Sequence, residues 1–200
     1  MYKLLLFVLL FLGTNLYSQQ LFDEQSVADF QKDMNKHYAD STSSPLKKED
    51  LKMFQSLDFF PASADFFVQA TFIRTEKEKP FKMPTTTDRK PLYVKYGELH
   101  FTIKGIKCQL NVYQNIDLSK KPGYADYLFL PFTDLTSGVE SYGGGRYIDL
   151  RMQESKQWTI NFNMAYNPYC AYNESYSCPI PPQENDLKVE VKAGVKKFHD

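Results

Sequence analysis

The sequence lacks a charge excess of either sign, since its 200 residues carry 24 lysines and arginines and 24 aspartates and glutamates. Surfaces that bind nucleic acid or anionic membranes are strongly basic, so no nucleic-acid partner is predicted. Cysteine and histidine are scarce, with three of each, and there is no C-x₂₋₄-C pair of the kind common in structural zinc sites. A G-x-S-x-G nucleophile elbow is missing too. We therefore predict no metal, no cofactor and no serine-hydrolase chemistry.

A long apolar run is also missing, and this decides how the N-terminus is interpreted. Leu4 to Leu12 are nine apolar residues, whereas a helix that crosses a bilayer needs about 20. The short positive start, the apolar run, and Gly13 and Ser18 after it are typical of a secretory signal peptide. We predict cleavage after Ser18, an extracytoplasmic location (periplasmic or secreted) and no stable membrane insertion afterwards. An uncleaved membrane anchor is the alternative. A lipid-modified N-terminus is not predicted, because no cysteine lies near the cleavage point.

Removal of residues 1–18 leaves 182 of the 200 residues, with 23 basic and 24 acidic side chains because Lys3 is lost. A chain of this length suits one domain with a sizeable core. It contains no internal repeat and no low-complexity tract, so residues 19–200 are predicted to form a single domain.

Two helices are predicted ahead of the strands. The first covers residues 22–39, where apolar side chains recur every four positions, at Phe22, Phe30, Met34 and Tyr38. The second is short, with Ser44 as its N-cap and Pro45 at its first position. Pro61 ends it.

From residue 66 onward, apolar and polar side chains alternate, which is typical of strands with one buried face. The clearest signal is a hairpin in which a Lys104-Gly105 turn pairs Ile103 with Ile106 and Leu99 with Leu110. Further strands are predicted at residues 66–72, 127–132, 147–152, 158–163 and 187–191. The pattern predicts a mostly β fold, an antiparallel sandwich or partly open barrel preceded by two N-terminal helices.

Two segments, residues 131–149 and 161–185, are too rich in glycine, proline and asparagine to be regular elements, yet they carry many aromatic and polar side chains. A hairpin with Met152 opposite Trp158 would join them and keep all the flanking apolar side chains on one face. The same register places Asp149 opposite Asn161. It predicts that the two segments share one site.

The two segments resemble the bacterial and archaeal domain-of-unknown-function family 1684. The first carries the motifs Pro131-Phe132-Thr133-Asp134, Thr136, Gly138, Glu140-Ser141-Tyr142 and Gly145-Arg146-Tyr147. The second and the C-terminus carry Phe162-Asn163, Ala165 to Pro168, Cys170 to Tyr172, Cys178-Pro179, Pro181-Pro182, Asn185 and Ala193-Gly194. Ser141 replaces the usual threonine and Val195 the usual glutamate. The resemblance covers most of the mature chain and implies a fold unit, without a reaction.

The leading functional interpretation is non-enzymatic binding of a small or acidic ligand. Arg146 would take an acidic group between walls formed by Tyr142, Tyr147 and Tyr166. The other binding candidates are Asp134, Glu140, Asn163 and Asn167. One alternative is a hydrolase that uses Glu140 or Asp134 with Arg146 as a charge stabiliser, and Asp149 is a third carboxylate that could serve as acid or base. Another is a structural module of the cell envelope whose polar segment only locks the fold.

Smaller features leave alternatives open as well. Cys170 and Cys178 lie eight residues apart in a chain predicted to be exported, which favours a disulfide over free thiols or a metal site. Cys108 falls on the core face of the hairpin and is interpreted as a small buried hydrophobe. The three glycines before Arg146 form either a simple turn or an anion nest.

Overall fold

The computed structural model describes residues 21–199. The predicted signal peptide and its cleavage point at Ser18 lie outside this range. The first helix, α1, is Glu24–Ala39, and the Asp23 side chain caps it by accepting a hydrogen bond from the Gln25 N–H. No helix within the described range has the length and apolarity needed to cross a membrane.

The second predicted helix is reduced to α2, Lys48–Met53, which begins after Lys47 rather than at Pro45. The prediction that Ser44 caps it is wrong. The Ser44 hydroxyl instead donates to the Tyr38 carbonyl at 2.6 Å and accepts from the Leu46 N–H, so it joins the end of α1 to the following loop. A serine hydroxyl serves a local turn as readily as a helix start.

The strands form a single antiparallel sheet in the order β6-β5-β4-β3-β1-β7, with β2 added to β3. This half-barrel confirms a mostly β, antiparallel fold. The strands are β1 Phe67–Arg74, β2 Phe81–Lys82, β3 Leu92–Ile103, β4 Ile106–Asn115, β5 Tyr127–Phe132, β6 Arg146–Arg151 and β7 Gln157–Asn161.

The hairpin of β3 and β4 is confirmed in its predicted register, with Ile103 opposite Ile106 and Leu99 opposite Leu110. Lys104 and Gly105 both adopt positive φ, at 47° and 80°. Two such residues form the tight turn whose twist matches that of the flanking strands.

The predicted hairpin of β6 and β7 is wrong. β6 pairs with β5, which places Asp149 opposite Phe129, and β7 pairs with β1, which places Asn161 opposite Phe67. The two strands lie at opposite ends of the sheet order. Alternation specifies which face of a strand is buried, but it does not specify the neighbour, because any strand whose apolar face points to the same side can pair with it.

The last predicted strand, residues 187–191, is wrong, because this part of the chain is irregular and lies outside the sheet. The buried side chains of residues 187–195 are Leu187, Val189, Val191, Ala193 and Val195. Most of these side chains join the core cluster formed by the inward faces of the strands. Single bridges join Asp186 to Thr133 and Val195 to Phe59. This segment, residues 187–195, therefore covers the apolar side of the half-barrel, and side chains must satisfy much of its backbone.

Candidate functional site

Asp134 and Arg146 form a fully buried ion pair beneath residues 187–195. An Arg146 terminal nitrogen donates to the Asp134 carboxylate at 2.7 Å, and both side chains have no exposed surface. The guanidinium also donates to the carbonyls of Val191 and Ala193. The second Asp134 oxygen accepts from the N–H groups of Val191 and Thr136. The pair thus ties the unpaired backbone of the C-terminal segment to β6.

These contacts occupy the terminal nitrogens of Arg146, which was predicted to bind a ligand. Burial lowers the pKa of Arg146, and the neighbouring Asp134 carboxylate opposes that shift. Gly145 lets the backbone before Arg146 pass close to Phe132. Its φ is +88°, and a Cβ atom there would stand 2.6 Å from the Phe132 carbonyl oxygen. The glycine run before it closes a turn through a hydrogen bond from the Gly145 N–H to the Tyr142 carbonyl.

Buried asparagines anchor the irregular segments in the same way. Asn163 accepts from the Ser63 N–H and donates to the Ser63 carbonyl, both at 2.9 Å. Asn167 donates to the Lys196 carbonyl at 2.8 Å. Asn185, which was not a predicted site residue, bonds to the N–H and carbonyl of Asn111 and to the Pro131 carbonyl. Most of the polar family motifs therefore hold backbone rather than face solvent.

Glu140 lies at the protein surface, whereas Asp134 is buried. The Glu140 carboxylate is 2.8 Å from the Lys192 ammonium, and both side chains are partly exposed. It lines a shallow polar depression with Asp58 and Lys196. One acid of the predicted hydrolase is thus sealed in the core, and the other is paired with a surface lysine.

A cavity of about 560 Å³ lies on the opposite side of β6, beneath α1. Small-molecule sites commonly occupy roughly 300–1,000 Å³. Two predicted wall residues, Tyr147 and Tyr166, line it, whereas Tyr142 does not. We call it the tyrosine cavity, after the lining tyrosines Tyr38, Tyr93, Tyr127, Tyr147, Tyr166, Tyr169 and Tyr176.

The two motif segments do meet at this cavity, although not through the predicted register. Tyr147 and Tyr166 exchange backbone hydrogen bonds of 2.9 and 3.0 Å, which attaches the second segment to the free edge of β6. The Tyr147 hydroxyl donates to the Pro179 carbonyl and fixes the far wall. The ring centroids of Tyr147 and Tyr166 lie 5.9 Å apart in an edge-to-face arrangement.

Asp149 supplies the charge of the tyrosine cavity. One of its carboxylate oxygens, Oδ1, accepts hydrogen bonds from the Tyr127 hydroxyl at 2.7 Å and the Tyr166 hydroxyl at 2.6 Å. Burial is the largest cause that raises the pKa of both tyrosines, with the Asp149 charge adding to it, so both hydroxyls stay protonated and able to donate. Asp149 itself is exposed and accessible from the cavity.

Asp149 and Tyr127 were not among the predicted binding residues, although the strand pattern contained a usable signal. Alternation places Asp149 on the face of β6 opposite Ile148 and Leu150, and Tyr127 on the matching face of β5. What the sequence did not reveal is that β5 and β6 are neighbours, which brings the two polar groups together.

Cys170 and Cys178, for which a disulfide is predicted, are free thiols in contact. The Cys170 N–H donates to the Cys178 sulfur at 3.1 Å. A hydrogen bond from the Cys178 thiol, followed by others from Tyr142 and Thr86, lowers the pKa of Cys170 to about 6. Cys108 is half-buried at the core margin. Across residues 21–199, no group of three or more histidine, cysteine or acidic side chains is arranged to hold a metal ion.

Comparisons with known proteins show the family and leave the activity open. Residues 52–196 match the family described as "Protein of unknown function (DUF1684)". The fold is similar to the solution NMR structure of an uncharacterized protein from Haloarcula marismortui, with a TM-score of 0.67 and 31% identity. That match covers 86% of this chain and 93% of the other. No curated protein matches the chain. The chain therefore belongs to the domain-of-unknown-function family 1684.

Proposed function

We propose that the protein is an exported, non-enzymatic domain that binds a small organic molecule in the tyrosine cavity. The observation that carries this proposal is the cavity itself, about 560 Å³ in volume, with aromatic walls and the Asp149 carboxylate at its margin. A largely apolar pocket with a few converging polar groups is the usual form of a small-molecule site.

Binding is favoured over hydrolysis because the groups needed for hydrolysis do not converge. Asp134 and Arg146 neutralise each other in the core, and Glu140 pairs with Lys192 at the surface. None of these lines the tyrosine cavity, so Asp149 is the one predicted acid that does. An acid and a base must both reach the substrate, so the proposal keeps binding and assigns no reaction.

The chemical preference also changes. The prediction of an acidic ligand depended on Arg146, whose terminal nitrogens are committed to Asp134 and to two carbonyls. Among the described residues that line the tyrosine cavity, the acids are Asp33 and Asp149 and the one basic group is His37. The proposal therefore retains a small ligand without an acidic group.

The test compares the wild type with a variant whose cavity is filled, Leu118→Trp. Leu118 is half-buried in a loop that lines the cavity, so the larger ring occupies ligand space. Ile106→Trp is the matched control, because it adds the same ring to a partly exposed position at the β3–β4 turn. Each protein is heated with small ammonium compounds, neutral alcohols and sugars, and carboxylates.

At a ligand concentration about 100 times Kd, binding adds about 2.7 kcal/mol to the free energy of unfolding. In a domain of this size, that raises Tm by roughly 5–10 °C. We expect at least one class of compound to raise Tm in the wild type and in Ile106→Trp, but not in Leu118→Trp. Equal shifts in all three proteins, or none in the wild type, contradict the proposal.

A further inference from the structure

We infer that the tyrosine cavity selects an organic ammonium ion with an apolar body, an inference that rests on the function proposed above. Two features carry it: a carboxylate that the fold orients but leaves half unsatisfied, and an aromatic lining that includes no lysine or arginine among residues 21–199.

The first feature is the asymmetry of Asp149. Its Oδ1 atom accepts the hydrogen bonds from both tyrosine hydroxyls, while its Oδ2 atom receives no hydrogen bond from the described part of the chain. The Tyr127 and Tyr166 hydroxyls fix the carboxylate in one orientation without cancelling its negative charge. An ammonium group placed at Oδ2 would meet an oriented anion, and the attraction between the two charges is stronger where the cavity walls displace water.

The second feature is how the nearby arginines are used. Arg151 donates to Asp126 at 2.7 Å and to the Gly123 carbonyl, outside the cavity lining. Arg89 donates to the Ser177 hydroxyl and carbonyl. Neither side chain reaches Asp149 with a hydrogen bond or an ion pair, so that carboxylate has no cationic partner within the described part of the chain.

The aromatic walls supply the remaining selectivity. Tyr93 and Tyr147 both pack against Phe129, with ring centroids 5.8 and 4.7 Å away. Aromatic faces attract cations, and the attraction grows when the cation has shed its water. An alkylated ammonium ion is weakly hydrated and carries apolar surface, so it matches both the rings and the carboxylate.

The test uses choline as the cationic probe and 3,3-dimethylbutan-1-ol, its neutral isostere, in titration calorimetry. A third probe, 3,3-dimethylbutanoate, carries a negative charge on a similar apolar body. We expect the wild type to bind choline at least about tenfold more tightly than either other probe. Raising the salt concentration about tenfold should weaken choline binding and leave the alcohol unaffected.

Asp149→Asn keeps the size of the side chain and removes its charge. We expect it to reduce the preference for choline over the alcohol to less than about threefold, while the matched surface variant Glu154→Gln retains the wild-type preference. Preference for the alcohol or the carboxylate in the wild type overturns the inference but leaves the proposed function standing. A choline preference that survives in Asp149→Asn also overturns it. If none of the probes or compound classes binds, both proposals fail.

Discussion

Replacement of Arg146 by methionine would break the buried ion pair that holds residues 187–195. The variant leaves Asp134 without its cation and the carbonyls of Val191 and Ala193 without a donor. Removing one partner of a buried pair costs about 3–5 kcal/mol, because the other charge stays buried. In a domain of this size, we expect Tm to fall by about 6–20 °C.

Arg151→Met is the matched control for this experiment. Arg151 lies on the same strand and also sits 2.7 Å from an aspartate, Asp126, but both of those side chains are 53% exposed. An exposed pair contributes at most about 1 kcal/mol, so Tm should fall by less than about 4 °C. Thermal unfolding followed by circular dichroism measures both variants. Equal losses in the two would refute the assignment of Arg146 as the anchor.

A double variant separates the ion pair from its backbone contacts. Hydrophobic residues often replace a buried ion pair without loss of stability. Here, Asp134→Leu combined with Arg146→Met would still leave the N–H and carbonyl of Val191 unpaired. We therefore expect the double variant to remain destabilised by at least about 2 kcal/mol, since each unpaired buried group costs about 1–3 kcal/mol. Stability equal to that of the wild type would show that the backbone contacts contribute little.

Other predictions concern export, the cysteines and a second anchor. Protein recovered from outside the cytoplasm should have an intact mass that corresponds to cleavage after Ser18; retention of the N-terminal residues would contradict this. Unfolded protein prepared without reductant should show one reactive thiol, that of Cys108, because we predict that oxidation outside the cytoplasm joins the contacting thiols of Cys170 and Cys178; three thiols would rule the disulfide out. After reduction, the alkylation rate of Cys170 should reach half its maximum near pH 6, since a lowered pKa yields thiolate above that pH; a midpoint above pH 8 would contradict it. Asn185→Ala should cost about 3 kcal/mol in urea unfolding, because three backbone bonds are lost; a loss below about 1 kcal/mol would contradict it.

The local pattern of the sequence determined which faces of the strands are buried and where the tight hairpin turns. Leu99, Leu110 and their neighbours alternate so strictly that one register alone keeps them all on one side, and the Lys104-Gly105 turn fits only that register. The motifs also identified the family, because they are specific enough to need no tertiary information.

The partners of β6 and β7 were decided by the tertiary structure. Both strands satisfy their alternation in the predicted hairpin, yet each pairs elsewhere, with β5 and with β1. Strand pairing depends on contacts between residues far apart in the chain, and periodicity carries no information about them. Residues 187–195 show the same limit, since their alternation is real but their backbone bonds go to scattered loop residues and to the Asp134 and Arg146 side chains instead of a neighbouring strand.

The candidate site shows why the sequence identifies charged residues but does not show which of them are buried in pairs. The sequence alone marked Arg146 and Asp149 as chemically capable, and composition could not say which of them would face a cavity. Arg146 lies in the core beside Asp134, where two charges offset each other's burial, whereas Asp149 lies on the opposite face of the same half-barrel. Burial and pairing are properties of the packed chain. The sequence determined which residues could carry charge into a site, and only the tertiary structure decided which of those charges remain available to a ligand.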